Sequence, residues 1–256
     1  MLASTKLLPL IFVIVLVVIV LAIIILIIET NKIKIRQYLL KDHQLSPLQK
    51  ECEGVKIVFF SDIHLGKLLK KKELSKKVSI LKQLDGDIYI FGGDLIGHNI
   101  SKYYSLEQIK EAFLPLKDKT CLAVYGNHEY KPEKDTPQDV KLEYFKAMDF
   151  IILKDNSYVY QKDGKGLEIY GMNDYIYHEP IIPNKQYDLL ICHEADIIDK
   201  LDNQIMLSGH THGGQIMIPL INLYYKPING KKYFKGLYTV KNNQLLISNG
   251  LGYEFM

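Results

Sequence analysis

The spacing of apolar positions changes along the chain, and each change marks a different kind of element. From Leu8 to Ile28 runs LPLIFVIVLVVIVLAIIILII, uncharged throughout. As a helix rising about 1.5 Å per residue, such a run matches a hydrocarbon core of roughly 30 Å. Its β-branched residues would suit a buried strand, but strands are far shorter. No small-residue cleavage site follows in ETNKIKIRQ, so an uncleaved membrane anchor is expected over residues 1–30. Residues 31–53 read as a linker and lead-in to a folded domain over 54–256.

Within that domain, VKIVFF (55–60), DIYIFG (87–92) and TCLAVYG (120–126) read as buried strands, each running into a polar or glycine-rich turn. Between the first two, Leu74, Val78, Leu81 and Leu84 recur at helical spacing with lysines opposite. Further helices are predicted over 106–116 and 137–148. Strands alternating with helices indicate an α/β layer architecture. In the later half FIILKDN, SYVYQKDG, LEIYGMND, YDLLICHEAD, QIMLSGH and QLLISNG read as strands with shorter connections. The expectation is two sheets packed face to face and flanked by helices.

Composition narrows the options. The 256 residues are 48% hydrophobic and 24% charged, which suits one full core besides the apolar run. A net charge of +3, widely dispersed, gives no reason to expect nucleic-acid binding. Cys52, Cys121 and Cys192 are odd in number and form no CxxC, so no disulfide framework is indicated. Only Lys6 precedes the apolar run, whereas Lys32, Lys34, Arg36 and Lys41 follow it, and the positive-inside bias then places the folded domain in the cytoplasm. Oligomeric state is encoded in none of these signals.

The chemistry lies at the strand ends. SDIHLG offers Asp62 and His64, GGDLIG offers Asp94, and YGNHEY offers Asn127 and His128. ICHEAD offers His193, and SGHTHGG offers His210 and His212. Alone, a histidine at a strand end is more often structural, and an aspartate after two glycines is usually a turn residue. Together they hold five of the chain's eight histidines, all in loops that a sheet can bring together.

In this order the set resembles the calcineurin-like metallophosphoesterase superfamily, with its D-x-H, G-D, G-N-H-[DE], isolated His and G-H-x-H blocks. They stand here as Asp62-Ile63-His64, Gly93-Asp94, Gly126-Asn127-His128-Glu129, His193 and Gly209-His210-Thr211-His212. GHTHGGQ, GMND at 171–174 and the short N-terminal apolar segment are similar to the small membrane-associated bacterial branch. The resemblance implies a four-layer α/β/β/α sandwich. Four histidines, two aspartates and an asparagine, without a thiolate, form a mixed nitrogen and oxygen donor set for Mn²⁺, Fe or Zn²⁺. Seven donors exceed the needs of one tetrahedral ion, so two divalent ions sharing a carboxylate is the economical reading, with Asp94 as the candidate bridge. The resemblance implies Asp62, His64, Asp94 and His212 at one ion, and Asp94, Asn127, His193 and His210 at the other. Two such ions, about 3.5–4 Å apart, could hold a bridging hydroxide for in-line attack on a phosphate. The resemblance also implies that His128 serves the leaving oxygen; a role as an orienting partner near Asp62 stays open.

Other features carry less. His98 reads as a rim residue, and His43 and His178 have no partner in sequence. The lysine-rich stretch 67–77 reads as a solvated helix face, or as a basic rim for anionic head groups. YYKPINGKKYF (224–234) reads as a hairpin turning on glycine, or as a lipid-facing segment. His193 is followed by Glu-Ala-Asp where the family more often has a proline. The family also continues beyond a G-x-G like Gly250-Leu251-Gly252 into a closing strand, so the expectation is either a missing edge of the second sheet or a truncated coding sequence. The reading is a membrane-anchored, two-metal phosphoesterase for a phosphodiester or pyrophosphate, on a lipid-linked substrate such as a UDP-diacylglucosamine-like precursor. A broad phosphatase or nucleotide phosphodiesterase is the alternative within enzymes, and a metal-stabilised scaffold without turnover the alternative outside them.

Overall fold

The computed structural model describes residues 9, 11–21, 32–39, 54–162, 164–214 and 227–252. Two units are distinguished, Met1–Arg36 and Gln37–Met256. In the first, residues 11–21 are helical and every side chain in that stretch is exposed. Among the described residues no helix is long and apolar enough to cross a membrane. The rest of the Leu8–Ile28 run, His43, Cys52 and most of the expected lead-in lie outside the described residues.

The second unit is a mixed α/β fold with two sheets. In the first sheet β1 (Ile57–Phe60), β2 (Ile88–Phe91), β3 (Thr120–Ala123) and β4 (Ile151–Ile152) lie in chain order, all parallel. Parallel neighbours need crossovers, and the helices supply them. They are α1 (Lys71–Gln83), α2 (Ile100–Tyr103), α3 (Leu106–Phe113), α4 (Asn127–Tyr130) and α5 (Gln138–Lys146). All four β2 residues are buried, which is why its sequence is a continuous apolar run rather than an alternation. α1 buries Leu74, Val78 and Leu81 of the predicted stripe, while Leu84 caps the helix half-buried. α3 gives way at Leu114–Leu116 to a 3-10 turn, where Pro115 has no N–H to continue the ladder. Phe145 of α5 meets Phe91 at 5.8 Å between ring centres, and Tyr125 at 4.7 Å, joining helix layer to sheet.

The second sheet contains β5 (Asn156–Lys162), β6 (Lys165–Gly171), β7 (Leu189–Ile191), β8 (Ile205–Ser208), β9 (Gly236–Val240) and β10 (Asn243–Ile247). Its order is β5-β6-β7-β8-β10-β9. The inner four strands are parallel, and an antiparallel hairpin closes each edge. Ile88, Ile90, Leu122 and Val124 of the first sheet share one buried core with Ile169, Leu189, Ile191 and Leu207 of the second, so the sheets pack face to face as expected.

Three expectations need correction. The outer face of the second sheet is covered, among the described residues, by the 3-10 segment Ala195–Lys200, whose Ile197 and Ile198 pack with Leu190, Met206 and Leu245. Among the described residues no α-helix packs on that cluster; residues 215–226 lie outside them. Residues 227–234 form no strand: Gly230 N donates to Pro227 O at 3.1 Å, and the amides of Lys231, Lys232 and Tyr233 all turn to the Asp196 carboxylate. The hairpin of this region is β9–β10, and β9 escaped prediction because Leu237 faces outward on an edge strand and blurs the alternation. Finally, Lys77 is not part of a solvated face; it is buried and its Nζ donates to Leu251 O at 2.8 Å.

Candidate metal centre

Every motif loop leaves the carboxyl end of a parallel strand. Asp62 and His64 follow β1, Asp94 follows β2, and Asn127 and His128 open α4 after β3. His193 follows β7, while His210 and His212 follow β8. Parallel pairing therefore collects loops from both sheets at one end, the usual place for a site in such sheets.

The loops hold unusual backbone. Asp62, His64, Asp94, His210 and His212 all have positive φ, between 50° and 70°. Asp and His tolerate this region better than most residues, yet each such residue costs on the order of 1–3 kcal/mol unless its surroundings fix it. Hydrogen bonds supply that fixing. Asp62 N donates to Gly93 O at 2.9 Å, and the amides of Ile63 and His64 donate to Asp94 O at 2.8 and 3.1 Å. His210 N donates to the Asp62 carboxylate at 3.0 Å, and the Ser61 hydroxyl donates to it as well. Gly209 answers for its bareness here: a Cβ on it would lie 2.5 Å from Asp62 Oδ2.

The donor atoms converge. Asp62, His64 and His212 form one group whose ligand atoms lie within 4.8 Å of one another, and Asp94, His193 and His210 form another. His64 and Asp94 form a third with His128. His64 Nε2 and His212 Nε2 are 2.8 Å apart, and His212 Nε2 is 3.6 Å from Asp62 Oδ1. His193 Nε2 lies 3.1 Å from Asp94 Oδ2 and 3.8 Å from Asp62 Oδ1. His128 N donates to Asp94 Oδ1 at 2.8 Å.

These contacts test whether the residues suit a cation. His193 Nδ1 faces Gly92 O at 2.6 Å, and a carbonyl can only accept, so the ring proton sits on Nδ1. Nε2 then turns a lone pair toward the Asp94 carboxylate, and it makes no hydrogen bond. A neutral ring would oppose two buried acceptors at that distance, so positive charge belongs between them, either as a proton on Nε2 or as a metal cation in its place. His210 repeats the arrangement in the other tautomer: Nε2 donates to Ile228 O at 2.7 Å, leaving Nδ1 to ligate. Asn127 Oδ1 is also buried without a hydrogen bond. The donor set fits divalent metal.

The electrostatics agree. Burial, then His128 and His212, pulls His64 well below the ordinary histidine value. Burial and His193 draw His210 down to about 3. For His193 burial favours the neutral ring, but the Asp94 and Asp62 carboxylates outweigh it and hold the ring well above the ordinary value. Burial likewise opposes the Asp94 charge, yet His193 and His128 outweigh it and keep that carboxyl far below the ordinary range. The centre thus keeps lone pairs on His64 and His210, while Asp94 and His193 share a positive charge that a metal cation would supply in place of a proton.

Seven of the eight predicted residues, Asp62, His64, Asp94, His128, His193, His210 and His212, fall into these groups, and Asn127 opens the turn that carries His128. His98 does not: its side chain is 74% exposed and faces Glu133 Oε1 at 3.5 Å, as a rim residue would. His178 proves to have partners, packing on the Tyr130 ring at 4.1 Å and facing Asp174 Oδ2 at 3.7 Å. Sequence reasoning gave no role to Glu129. It is buried, and its two oxygens accept from the amides of Asp94, Leu95, Ile96 and Gly126 at 2.8–3.1 Å, clamping two ligand loops together. Burial, then the Asp94 charge, pushes its carboxyl up to about 8 against those four donors. Its only signal in sequence was its place in the GNHE block.

The chain is similar to known proteins over most of its length. Residues 55–214 match the family described as calcineurin-like phosphoesterase. The chain is 28% identical over 242 residues to the uncharacterized metallophosphoesterase YkuE of Bacillus subtilis, covering 88% of this chain and 80% of that one. It is 23% identical over 218 residues to phosphodiesterase YaeI of Escherichia coli, covering 82% and 80%. It is 30% identical over 210 residues to the uncharacterized protein YpbG of Bacillus subtilis, covering 77% and 73%.

Proposed function

This chain belongs to the calcineurin-like phosphoesterase family and is a metal-dependent phosphoric ester hydrolase, and on that premise we propose that it cleaves a phosphodiester or pyrophosphate bond at a centre for two divalent cations. The observation that carries this reading is the opposed pair of His193 Nε2 and Asp94 Oδ2, 3.1 Å apart with the ring proton committed to Gly92 O. Asp62, His64, Asp94 and His212 would hold one cation, and Asp94, Asn127, His193 and His210 the other. Cations held there would supply positive charge to the phosphoryl oxygens and acidify the attacking water. The chain's own groups do the remaining work. The carbonyls of Gly92 and Ile228 fix the tautomers of His193 and His210. His128, tied by its amide to Asp94, donates a proton to the departing oxygen.

The test is elemental analysis beside turnover. Protein purified with Mn²⁺ should approach two equivalents per chain, and chelation should abolish hydrolysis of bis(p-nitrophenyl) phosphate until metal is restored. Full activity with a single ion bound would sink the two-cation centre.

For the substrate, the proposal is a lipid-linked phosphate met at a membrane surface, with the folded domain on the cytoplasmic side. Its support is the uncharged Leu8–Ile28 run, of which residues 11–21 are helical and exposed. Exposed Lys67, Lys70, Lys71 and Lys72, just beyond the His64 loop, suit anionic head groups. A cysteine introduced in 67–77 should resist a membrane-impermeant thiol reagent in intact cells. Labelling there would overturn the orientation.

A further inference from the structure

Lysine is rarely buried completely, because its ammonium gives up hydration that new polar contacts must replace. Lys141, on α5, is 0% exposed. Its Nζ donates to Lys131 O at 2.8 Å and to His128 O at 3.2 Å, with Glu133 Oε2 at 3.5 Å. Burial draws the ammonium below the ordinary lysine value, with Glu133 opposing the shift. An apolar side chain of similar length would fill the same space with a smaller loss of hydration, so packing alone does not account for a charge here.

The groups it reaches are specific. α4 is a single turn, Asn127–Tyr130, too short to satisfy its own terminal carbonyls. Lys141 takes the carbonyl of His128 itself and that of Lys131, the residue that ends the turn. The opposite end of the turn is held by Gly126 N on Glu129 and by His128 N on Asp94. Glu133 also faces His98, in the loop that continues from Asp94, so the ion pair spans the same two loops.

We propose that Lys141, steadied by Glu133, is a positioning residue that fixes the main chain of His128 and thereby aims its imidazole at the departing oxygen. The inference rests on the reading of His128 as the group that serves that oxygen. Lys141 touches no reacting atom, so its effect follows the leaving group rather than metal content.

The experiment uses the full chain purified with Mn²⁺ and two esters, bis(p-nitrophenyl) phosphate with a good leaving group and diphenyl phosphate with a poorer one. Lys141→Met should keep its manganese and stay within about threefold of the parent on the first ester, while losing roughly tenfold to hundredfold in kcat on the second. KM should change little on either. In a His128→Ala background the same substitution should bring no further loss on diphenyl phosphate. Equal losses on both esters, or an undiminished loss in that background, overturn the inference and leave the role of His128 standing. A His128→Ala variant without leaving-group dependence overturns both. If Lys141→Met does not fold, Glu133→Gln loosens the same contact with the lysine in place; it must give the same leaving-group pattern, and an unchanged ratio between the esters overturns the inference.

Discussion

Asp94 accepts from the His128 amide and faces His193, so a substitution there reads charge only if the backbone stays in place. Its φ of 59° is one that Asn adopts nearly as readily as Asp. Asp94→Asn should therefore keep the fold, lower metal occupancy, and reduce kcat/KM by at least roughly a hundredfold. Asp94→Ala should add a loss of about 1 kcal/mol or more in stability, because it also leaves a buried amide unsatisfied. Thermal melts beside metal analysis separate the two effects. His128→Ala should differ from both. It should retain its metal and lose roughly 10²–10⁴ in kcat, with a smaller deficit when nitrophenol leaves. Metal lost together with activity would make His128 a ligand, as its grouping with His64 and Asp94 allows. The clustered aspartates and histidines were legible because five blocks recur in one order at strand ends, where any one of them alone would have read as structural. Glu129 and Lys141 were not, since acids and lysines are common on surfaces and only the meeting of residues 129 with 94–96, and 141 with 128, buries them.

Among the elements, what was legible tracks burial. β1, β2, β3 and the Leu74, Val78, Leu81 stripe of α1 follow directly from apolar periodicity. The 3-10 cover at Ala195–Lys200 and edge strand β9 do not, because a short turn and a half-exposed edge leave no period to read. Two substitutions separate elements that brace the site from those that only stabilise the fold. Ser105 caps α3, accepting from Gln108 N while its own amide donates to Gln108 Oε1 at 3.0 Å. Ser105→Ala should lower stability by about 1 kcal/mol, a few degrees in Tm, with kcat unchanged. The chain near Gly252 behaves differently. Leu251 N and Gly252 N donate to Ser61 O and Asp62 O, each at 2.8 Å, behind the first metal loop. A Cβ at Gly252 would lie 1.8 Å from Ile63 O, which is backbone and cannot swing aside. Gly252→Ala should therefore weaken metal binding as well as lower Tm, by roughly 1–3 kcal/mol in stability. Unchanged metal affinity in that variant would mean the strap does not brace Asp62.

At the scale of the molecule, the cation centre draws on both sheets. Metal bound only to the folded state adds stability as its concentration exceeds Kd, about 2.7 kcal/mol at a hundredfold excess. Chelation should thus lower Tm, and titration with Mn²⁺ should restore it progressively. Met1–Arg36 forms a unit of its own, and every motif residue lies beyond it. Removing residues 1–36 should leave turnover of a small soluble diester nearly unchanged and depress turnover of a membrane-embedded one. Equal loss on both would show that the segment supports folding. The separation of the ligands along the chain adds a consequence in time. His64 and His212, like Asp62 and His210, meet across 148 residues. During synthesis, the first sheet with Asp62, His64, Asp94 and Asn127 emerges well before His193, His210 and His212 exist. A growing chain therefore offers only half a coordination shell, and tight metal capture waits until the second sheet has closed on the first. Refolding should show the same order, with secondary structure returning at a rate independent of Mn²⁺ and activity following as a later, metal-dependent phase.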